Sequence, residues 1–166
     1  MDYTSRSEAF GLMKKALIVL ILLAESTGLF AQATAYRWVD FYDLANFAYN
    51  PKEPYSATPH RVTPSGVPAR LLPLNGQKVT IIGAVMPVTW EEGGSNEFML
   101  MLSQDLCGFG AIPRLNEFIY VKMTGGKKVI VQQGNEYQVK GVFHLQETVE
   151  DGRVTMLYSM DADSVQ

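Results

Sequence analysis

Beyond Leu74, hydrophobic and polar residues alternate in short runs, which is the period of half-buried β-strands. The alternation is clearest around Phe98, Leu100 and Leu102, which share one predicted face. Turn sequences such as Gly125-Gly126 and Asp151-Gly152 separate the runs, and their positive φ angles suit tight hairpins. The pattern predicts strands at Lys78–Val88, Glu97–Leu102, Glu117–Met123, Lys128–Val131, Glu136–Gln146 and Val154–Asp161.

One spacing occurs in two of these strands. Residues 76–83 and 134–141 both read Gly-x-x-apolar-x-apolar-x-Gly, so Gly83 and Gly141 lie inside strands. A strand glycine permits the sharp bend or bulge that a small closed barrel needs at its corners. Five or six short strands with such bends predict a mainly β protein, a small Greek-key OB-like barrel formed by residues 75–166. A two-sheet sandwich is the alternative.

The period changes to three and four residues in the aromatic segment Tyr36–Tyr49. This spacing predicts a short amphipathic N-terminal helix within residues 34–50, with an aromatic-rich extended segment as the alternative. The first barrel strand is apolar on both faces, so Ile82 and its neighbours on the outer face need a cover. The helix is the candidate for that cover. Its predicted apolar face comprises Trp38, Phe41, Tyr42, Ala45, Ala48 and Tyr49.

Six of the eight prolines lie between Pro51 and Pro73. Proline disfavours helical geometry in the residue before it, so the helix must end by Asn50. Residues 51–74 show no strong hydrophobic period and are predicted to form a linker or an ordered arm over the barrel. His60, inside this segment, is expected to be a solvated loop residue.

Near the N-terminus, Lys14 precedes a nine-residue apolar run, Ala16–Ala24, and the small residues Ala31 and Ala33 follow. These are the three parts of a secretory signal peptide. As a helix, nine residues span about 14 Å at 1.5 Å per residue, whereas a bilayer core is ~30 Å thick. We therefore expect residues 1–33 to be a signal peptide, with Met13 as a possible true start, and the product to be periplasmic or secreted. A retained membrane anchor is the alternative.

Composition narrows the class of protein further. The 166 residues are 47% hydrophobic and 19% charged, which fits one domain of ordinary size. The formal net charge of −3 argues against a nucleic-acid partner, because phosphate binding requires a basic surface. Cys107 is the only cysteine, so no intrachain disulfide can form. Since no cysteine lies near the cleavage site, the product is not expected to be a lipoprotein.

The segment Ser103–Glu117 is the best candidate for a binding site, because it is long for a hairpin loop and holds the sole cysteine. Ligand or partner contacts are expected from Cys107, Phe109, Pro113, Arg114, Asn116 and Glu117. Of these, Phe109, Arg114 and Asn116 are predicted to be exposed, with Pro113 stiffening the loop.

A metal site at Cys107 and His144 is the alternative, since thiolate is a soft ligand for zinc or copper(I). Free cysteine is more commonly a buried apolar residue, and His144 is expected to be partly exposed on its strand. Enzymatic activity is not expected. The sequence has no G-x-S-x-G elbow, and Val121 stands where a phosphate loop would need glycine. A thiol-dependent activity at Cys107 is the remaining enzymatic alternative.

Several of these motifs together resemble a family of uncharacterised bacterial exported proteins of unknown function with an OB-like fold. The matching pieces are Trp38, the glycine spacing of residues 76–83 with Pro87, Glu97–Leu100, Cys107, Pro113, Asn116-Glu117, Ile119–Val121, Val139, Gly141 and residues 158–165. They cover roughly residues 38–166. Members often place a histidine and a run of prolines after the cysteine, whereas this chain has Phe109 and only Pro113.

The sequence thus favours an exported, non-enzymatic binding module of the bacterial cell envelope. Its partner is expected to be an envelope protein or a small ligand. The resemblance adds an accessory role in a transport system, since some relatives look like such accessories. The alternative is a periplasmic protein that handles copper or zinc through Cys107. Otherwise no cofactor is expected.

Overall fold

The computed structural model describes residues 35–52, 58–103, 112–133 and 135–166. In chain order these residues form β1 (Arg37–Trp38), α1 (Phe41–Ala45), β2 (His60–Val62), a 3-10 turn (Leu72–Leu74), β3 (Lys78–Pro87), β4 (Glu97–Met101), β5 (Phe118–Met123), a second 3-10 turn (Thr124–Gly126), β6 (Glu136–Glu150) and β7 (Arg153–Val165). In these ranges, no helix has the length and apolar character required to span a bilayer. The predicted signal peptide lies outside the described residues.

Five strands close into a barrel in the order β3-β4-β5-β7-β6, with β6 pairing back onto β3. All neighbours are antiparallel except β5 and β7, which run parallel. The ring confirms the predicted mainly β, OB-like barrel, and the sandwich alternative is wrong because a sandwich would leave two separate sheets. β1 and β2 extend the sheet beside β3 and β6.

The two strand glycines lie where the barrel turns its corners. β3 pairs with β6 as far as Ala84 and with β4 from Ala84 onward, so Gly83 immediately precedes the change of partner. Gly141 lies at a register shift between β6 and β7. A Cβ atom on Gly83 would lie 2.6 Å from the carbonyl oxygen of Met101, and one on Gly141 would lie even closer to that of Asp161. Both positions therefore require the absence of a side chain.

The barrel interior is filled by large side chains that alternate along the strands. Ile81 on β3, Leu100 on β4, Ile119 on β5 and Phe143 on β6 are almost completely buried. Burial of such a side chain contributes about 1.5–3 kcal/mol. Phe143 and Tyr158 pack with their ring centroids 5.3 Å apart. This core confirms the inward face predicted from the alternation.

The N-terminal segment forms a shorter helix than the aromatic periodicity predicted. Residues Arg37–Trp38 pair in parallel with β3 instead. The helix begins only after Asp40, whose carboxylate accepts a hydrogen bond from the Tyr42 backbone N–H at 2.9 Å as an N-cap. Its buried face consists of Phe41, Leu44 and Ala45.

The expected cover over the outer face of β3 is wrong at Ile82, although Ala84 on the same predicted face is buried. Trp38 and Tyr42, placed on the buried face by the periodicity, are 58% and 70% exposed. Ile82, on the outer face of β3, is 41% exposed. The helix adds Phe41 and Leu44 to the core cluster and leaves Ile82 exposed to solvent.

Other boundaries differ from the sequence prediction in ways that follow from pairing. His60, expected in a loop, lies in β2, which pairs antiparallel with the distal part of β6. That pairing occurs where β6 continues beyond its predicted end at Gln146. Within the described ranges, segment 128–131, predicted as a strand, makes a single bridge, between Val129 and Ser95. Gly125-Gly126 therefore does not join two paired strands.

Candidate functional site

The structure describes four of the six loop residues predicted to make ligand or partner contacts: Pro113, Arg114, Asn116 and Glu117. Cys107 and Phe109 lie outside the described residues. The four residues lead directly into β5, so the barrel wall fixes the end of the loop.

Arg114 and Glu117 hold this end of the loop together. Nε of Arg114 donates to Oε1 of Glu117 at 2.8 Å, and Nη2 donates to the same oxygen at 2.5 Å. The backbone N–H of Arg114 donates to Oε2 at 2.8 Å. These hydrogen bonds lower the pKa of Glu117 below its usual value, although partial burial opposes the shift. Arg114 is exposed, as predicted, whereas Glu117 is mostly buried.

Asn116 is completely buried, so its predicted exposure is wrong. Its side-chain amide donates to the carbonyl oxygens of Ala45 and Phe47, both at 2.8 Å. Carbonyl groups at a helix C-terminus lack partners within the helix, which explains why a buried donor is placed there. Asn116 therefore fixes the N-terminal segment to the barrel. Within the described ranges, its Oδ1 atom has no hydrogen-bond partner.

Two open cavities adjoin where the N-terminal segment meets the barrel. The larger, about 390 Å³, is lined by Tyr42, Ala45, Asn46, Phe47, Ala48, Leu102 and Arg114. The smaller, about 220 Å³, is lined by residues 38–42 together with Ile82, Gly83, Leu102 and Glu136. Since Tyr42 and Leu102 line both cavities, we treat them as one surface, the N-terminal groove.

Three apolar residues of this groove were predicted to lie in the interior. Trp38 and Tyr42 fit a helical apolar face, and Ile82 fits a covered strand face. The sequence did contain one sign of an exposed apolar surface. β3 is apolar on both faces, and one short helix cannot cover the whole outer face. Of the predicted binding residues that the structure describes, Arg114 is the one that lines the groove.

His144, the other half of the predicted metal pair, lies on β6 and is partly buried, as expected. Its Nε2 atom lies 2.8 Å from Oδ2 of Asp161 on the neighbouring strand β7. Across residues 35–52, 58–103, 112–133 and 135–166, no three His, Cys, Asp or Glu residues lie together in a metal-binding arrangement. In this part of the chain His144 therefore has one carboxylate neighbour and no ligand set.

A second exposed apolar patch lies at the turn after β3. Trp90 is 73% exposed and Ile130 is 83% exposed, and both line a cavity of about 180 Å³. Lys128 fixes the turn through an ion pair with Glu91 at 2.8 Å. This patch matches the N-terminal groove in exposed aromatic surface and provides control positions for experiments on it.

A closed OB-like barrel with a groove beside its N-terminal segment defines the structural class. Comparison with protein families matches residues 60–166 to the family described as "Protein of unknown function (DUF3299)". The chain belongs to this family. The match confirms the resemblance to a family of unknown function. It includes Ile82, Leu102 and Arg114, whereas Trp38 and Tyr42 precede the matched range.

Among solved structures, the chain is similar to a DUF3299 family protein from Pseudomonas aeruginosa, with a TM-score of 0.54 and 20% sequence identity. The similarity covers 80% of this chain and 95% of that one. At this identity the likeness shows the fold alone. Comparison with curated proteins gives no match.

Proposed function

We propose that this protein is an exported, non-enzymatic binding module that holds a ligand or a segment of a partner protein in its N-terminal groove. One observation carries the proposal: two adjoining open cavities share Tyr42, whose ring is 70% exposed at a rigid barrel. Concave surfaces with exposed aromatic side chains are typical of binding sites, because occupation removes apolar area from water.

The attachment of the N-terminal segment supports this proposal. Asn116 and the hydroxyl of Tyr158 donate hydrogen bonds to the carbonyl oxygens of Ala45 and Leu44, so buried contacts fix one wall of the groove to the barrel. A wall that is fixed before binding lowers the ordering cost of association. The N-terminal segment therefore does not have to become ordered before the groove can hold a ligand.

The signal-peptide pattern of residues 1–33 supports an envelope location, and the partner we propose is a cell-envelope component. An accessory role in a transport system is the finer form of this proposal, supported by the family resemblance. We propose no metal cofactor, because Phe109 stands where family members often have histidine. One-to-one zinc or copper that is lost in a Cys107→Ser variant would contradict this.

Site-specific photocrosslinking tests the binding proposal. A benzophenone side chain is introduced at Tyr42, and separately at Trp90 as a control of matched exposure. After irradiation of living cells, intact-mass analysis should detect a discrete adduct from position 42 only. The adduct mass distinguishes a small ligand from a protein. Trp38→Ala should remove this adduct, whereas Ile130→Ala, in the second patch, should not. Identical adducts from positions 42 and 90 would contradict the proposal.

A further inference from the structure

The charged side chains that line the smaller cavity of the groove are both acidic. Two carboxylate residues, Asp40 and Glu136, line it together with the exposed aromatic residues Trp38 and Tyr42. Among the residues that the structure describes, no lysine or arginine lines this cavity. We call it the Trp38 cavity.

Within the described ranges, the neighbouring cations form no ion pair with these two carboxylates. Lys78 places its Nζ atom 5.6 Å from the ring centre of Tyr36. Arg37 and Arg70 line an adjoining cavity that shares Trp38, Val39 and Asp40 with this one. Asp40 uses Oδ1 to cap the helix, so its second oxygen is not needed for that bond. Glu136 is exposed and forms no ion pair within the described ranges. Among the described residues, neither carboxylate is therefore held in a direct ion pair.

We propose that the Trp38 cavity binds a lysine or arginine side chain of an extended peptide segment that belongs to a partner protein. This inference rests on the proposed binding function and names the occupant of the same groove. A cation over the faces of Trp and Tyr rings is attracted by their electron-rich faces, and the two carboxylates add direct charge complementarity. Ile82 provides apolar surface for the methylene groups of such a side chain.

The adjoining cavity favours a peptide over a free ammonium compound. The groove continues past Tyr42 and Leu102 into about 390 Å³ of further space, where Arg114 is the one charged lining residue among those described. An extended chain can place a basic side chain in the Trp38 cavity and a neutral or acidic residue beside Arg114. A compact cation would leave the larger cavity empty.

Tryptophan fluorescence provides the test, because Trp38 and Trp90 are the only tryptophans. In a Trp90→Phe background of the full chain, emission reports on Trp38 alone. The probes are acetyl-Ser-Leu-Ser-X-Ser-Leu-Ser-amide peptides, in which X is arginine, lysine, norleucine or glutamate. We expect the arginine and lysine peptides to bind at least about tenfold more tightly than the norleucine peptide, with an advantage that decreases as salt is added.

Variants of Asp40 and Glu136 test whether these carboxylates cause the tighter binding of the basic peptides. Asp40→Asn and Glu136→Gln together should abolish the preference for arginine, and asparagine retains the capacity to cap the helix. Glu92→Gln, on the exposed turn after β3, should leave the preference intact. Thermal unfolding of each variant verifies that the fold is retained.

Any of the following three results would overturn the inference. Equal binding of the arginine and norleucine peptides would show that the groove binds without recognising a cation. If butylammonium bound as tightly as the arginine peptide, the peptide occupant would be wrong. If no peptide bound, the inference would fail, and a position-42 crosslink in cells would show independently that the proposed binding function still holds.

Discussion

The hydroxyl of Tyr158 donates a hydrogen bond to the carbonyl oxygen of Leu44 at 3.0 Å, across 114 residues of sequence. Tyr158 is on β7 in the barrel core, and Leu44 is in α1, so this buried contact joins the N-terminal segment to the barrel. Burial raises the pKa of Tyr158 above its usual value, which keeps the hydroxyl protonated as a donor. The groove depends on this attachment because α1 forms one of its walls.

We expect Tyr158→Phe to destabilise the protein by about 1–3 kcal/mol, because the buried carbonyl of Leu44 would lose its side-chain donor. Urea unfolding of the full chain measures this difference. The control is Tyr42→Phe, which removes a hydroxyl from an exposed ring and should change stability by less than about 0.5 kcal/mol. If the two substitutions changed the free energy of unfolding equally, the hydrogen bond from Tyr158 to Leu44 would not stabilise the attachment of α1.

Asn116→Asp should be more destabilising than Tyr158→Phe. An ionised carboxylate cannot donate to the carbonyl oxygens of Ala45 and Phe47, and it would be buried beside them. We expect a loss of about 3 kcal/mol or more at neutral pH, with partial recovery in acid, where a protonated carboxyl regains one donor. Thermal unfolding at pH 7 and pH 4 tests this expectation. A variant that is as stable as the parent at pH 7 would show that these hydrogen bonds do not stabilise the fold.

Gly141→Ala should destabilise the barrel by about 3 kcal/mol, the upper end of what overpacking usually costs. The added Cβ would meet the backbone of Asp161, and backbone cannot rotate away as a side chain can. Gly125→Ala is the control, since nothing lies within 4 Å of the added atom and only the positive φ of 65° is strained. That strain costs roughly 1–2 kcal/mol. Finding the control more destabilising than Gly141→Ala would refute the close approach of β6 and β7.

At high pH, the pair formed by Tyr120 and Glu97 should determine part of the stability. Burial, together with the hydrogen bond to Glu97, raises the pKa of Tyr120 to about 12. Because the unfolded value is ~10, the folded state holds its proton more tightly. The stabilisation is therefore complete below pH 10 and is lost as the pH rises towards 12.

Unfolding midpoints between pH 9 and pH 12 measure this dependence. Tyr120→Phe should flatten the decline relative to the parent chain, because phenylalanine has no proton to lose. An identical decline in both proteins would show that Tyr120 titrates normally.

The sequence predicted the barrel well because its signals are local. Alternation located the strands, and the repeated spacing placed Gly83 and Gly141 at the corners, where close backbone contact excludes a side chain. The N-terminal groove could not be predicted in this way. Trp38, Tyr42 and Ile82 have the composition of a core, and their exposure depends on where Asp40 starts the helix and how little of β3 the helix then covers.

Asn116 shows the opposite error. A polar residue in a long loop was expected to be exposed, but it is buried because its amide donates to the carbonyl oxygens of Ala45 and Phe47. These hydrogen bonds join segments about 70 residues apart, which periodicity within a short window does not register. The exposure of Arg114 was predicted correctly, because a long charged side chain beside a strand end remains in solvent.

We expect the N-terminal groove to be occupied by a ligand or a partner protein in living cells. Hydroxyl-radical footprinting measures this directly, by comparing oxidation of Trp38 and Tyr42 with that of Trp90 in living cells and in the purified chain. All three rings are more than half exposed in the structure, so they should react similarly when the protein is alone. We expect oxidation of Trp38 and Tyr42 to fall severalfold in cells while that of Trp90 is unchanged. Equal reactivity of the three rings in cells would contradict the claim.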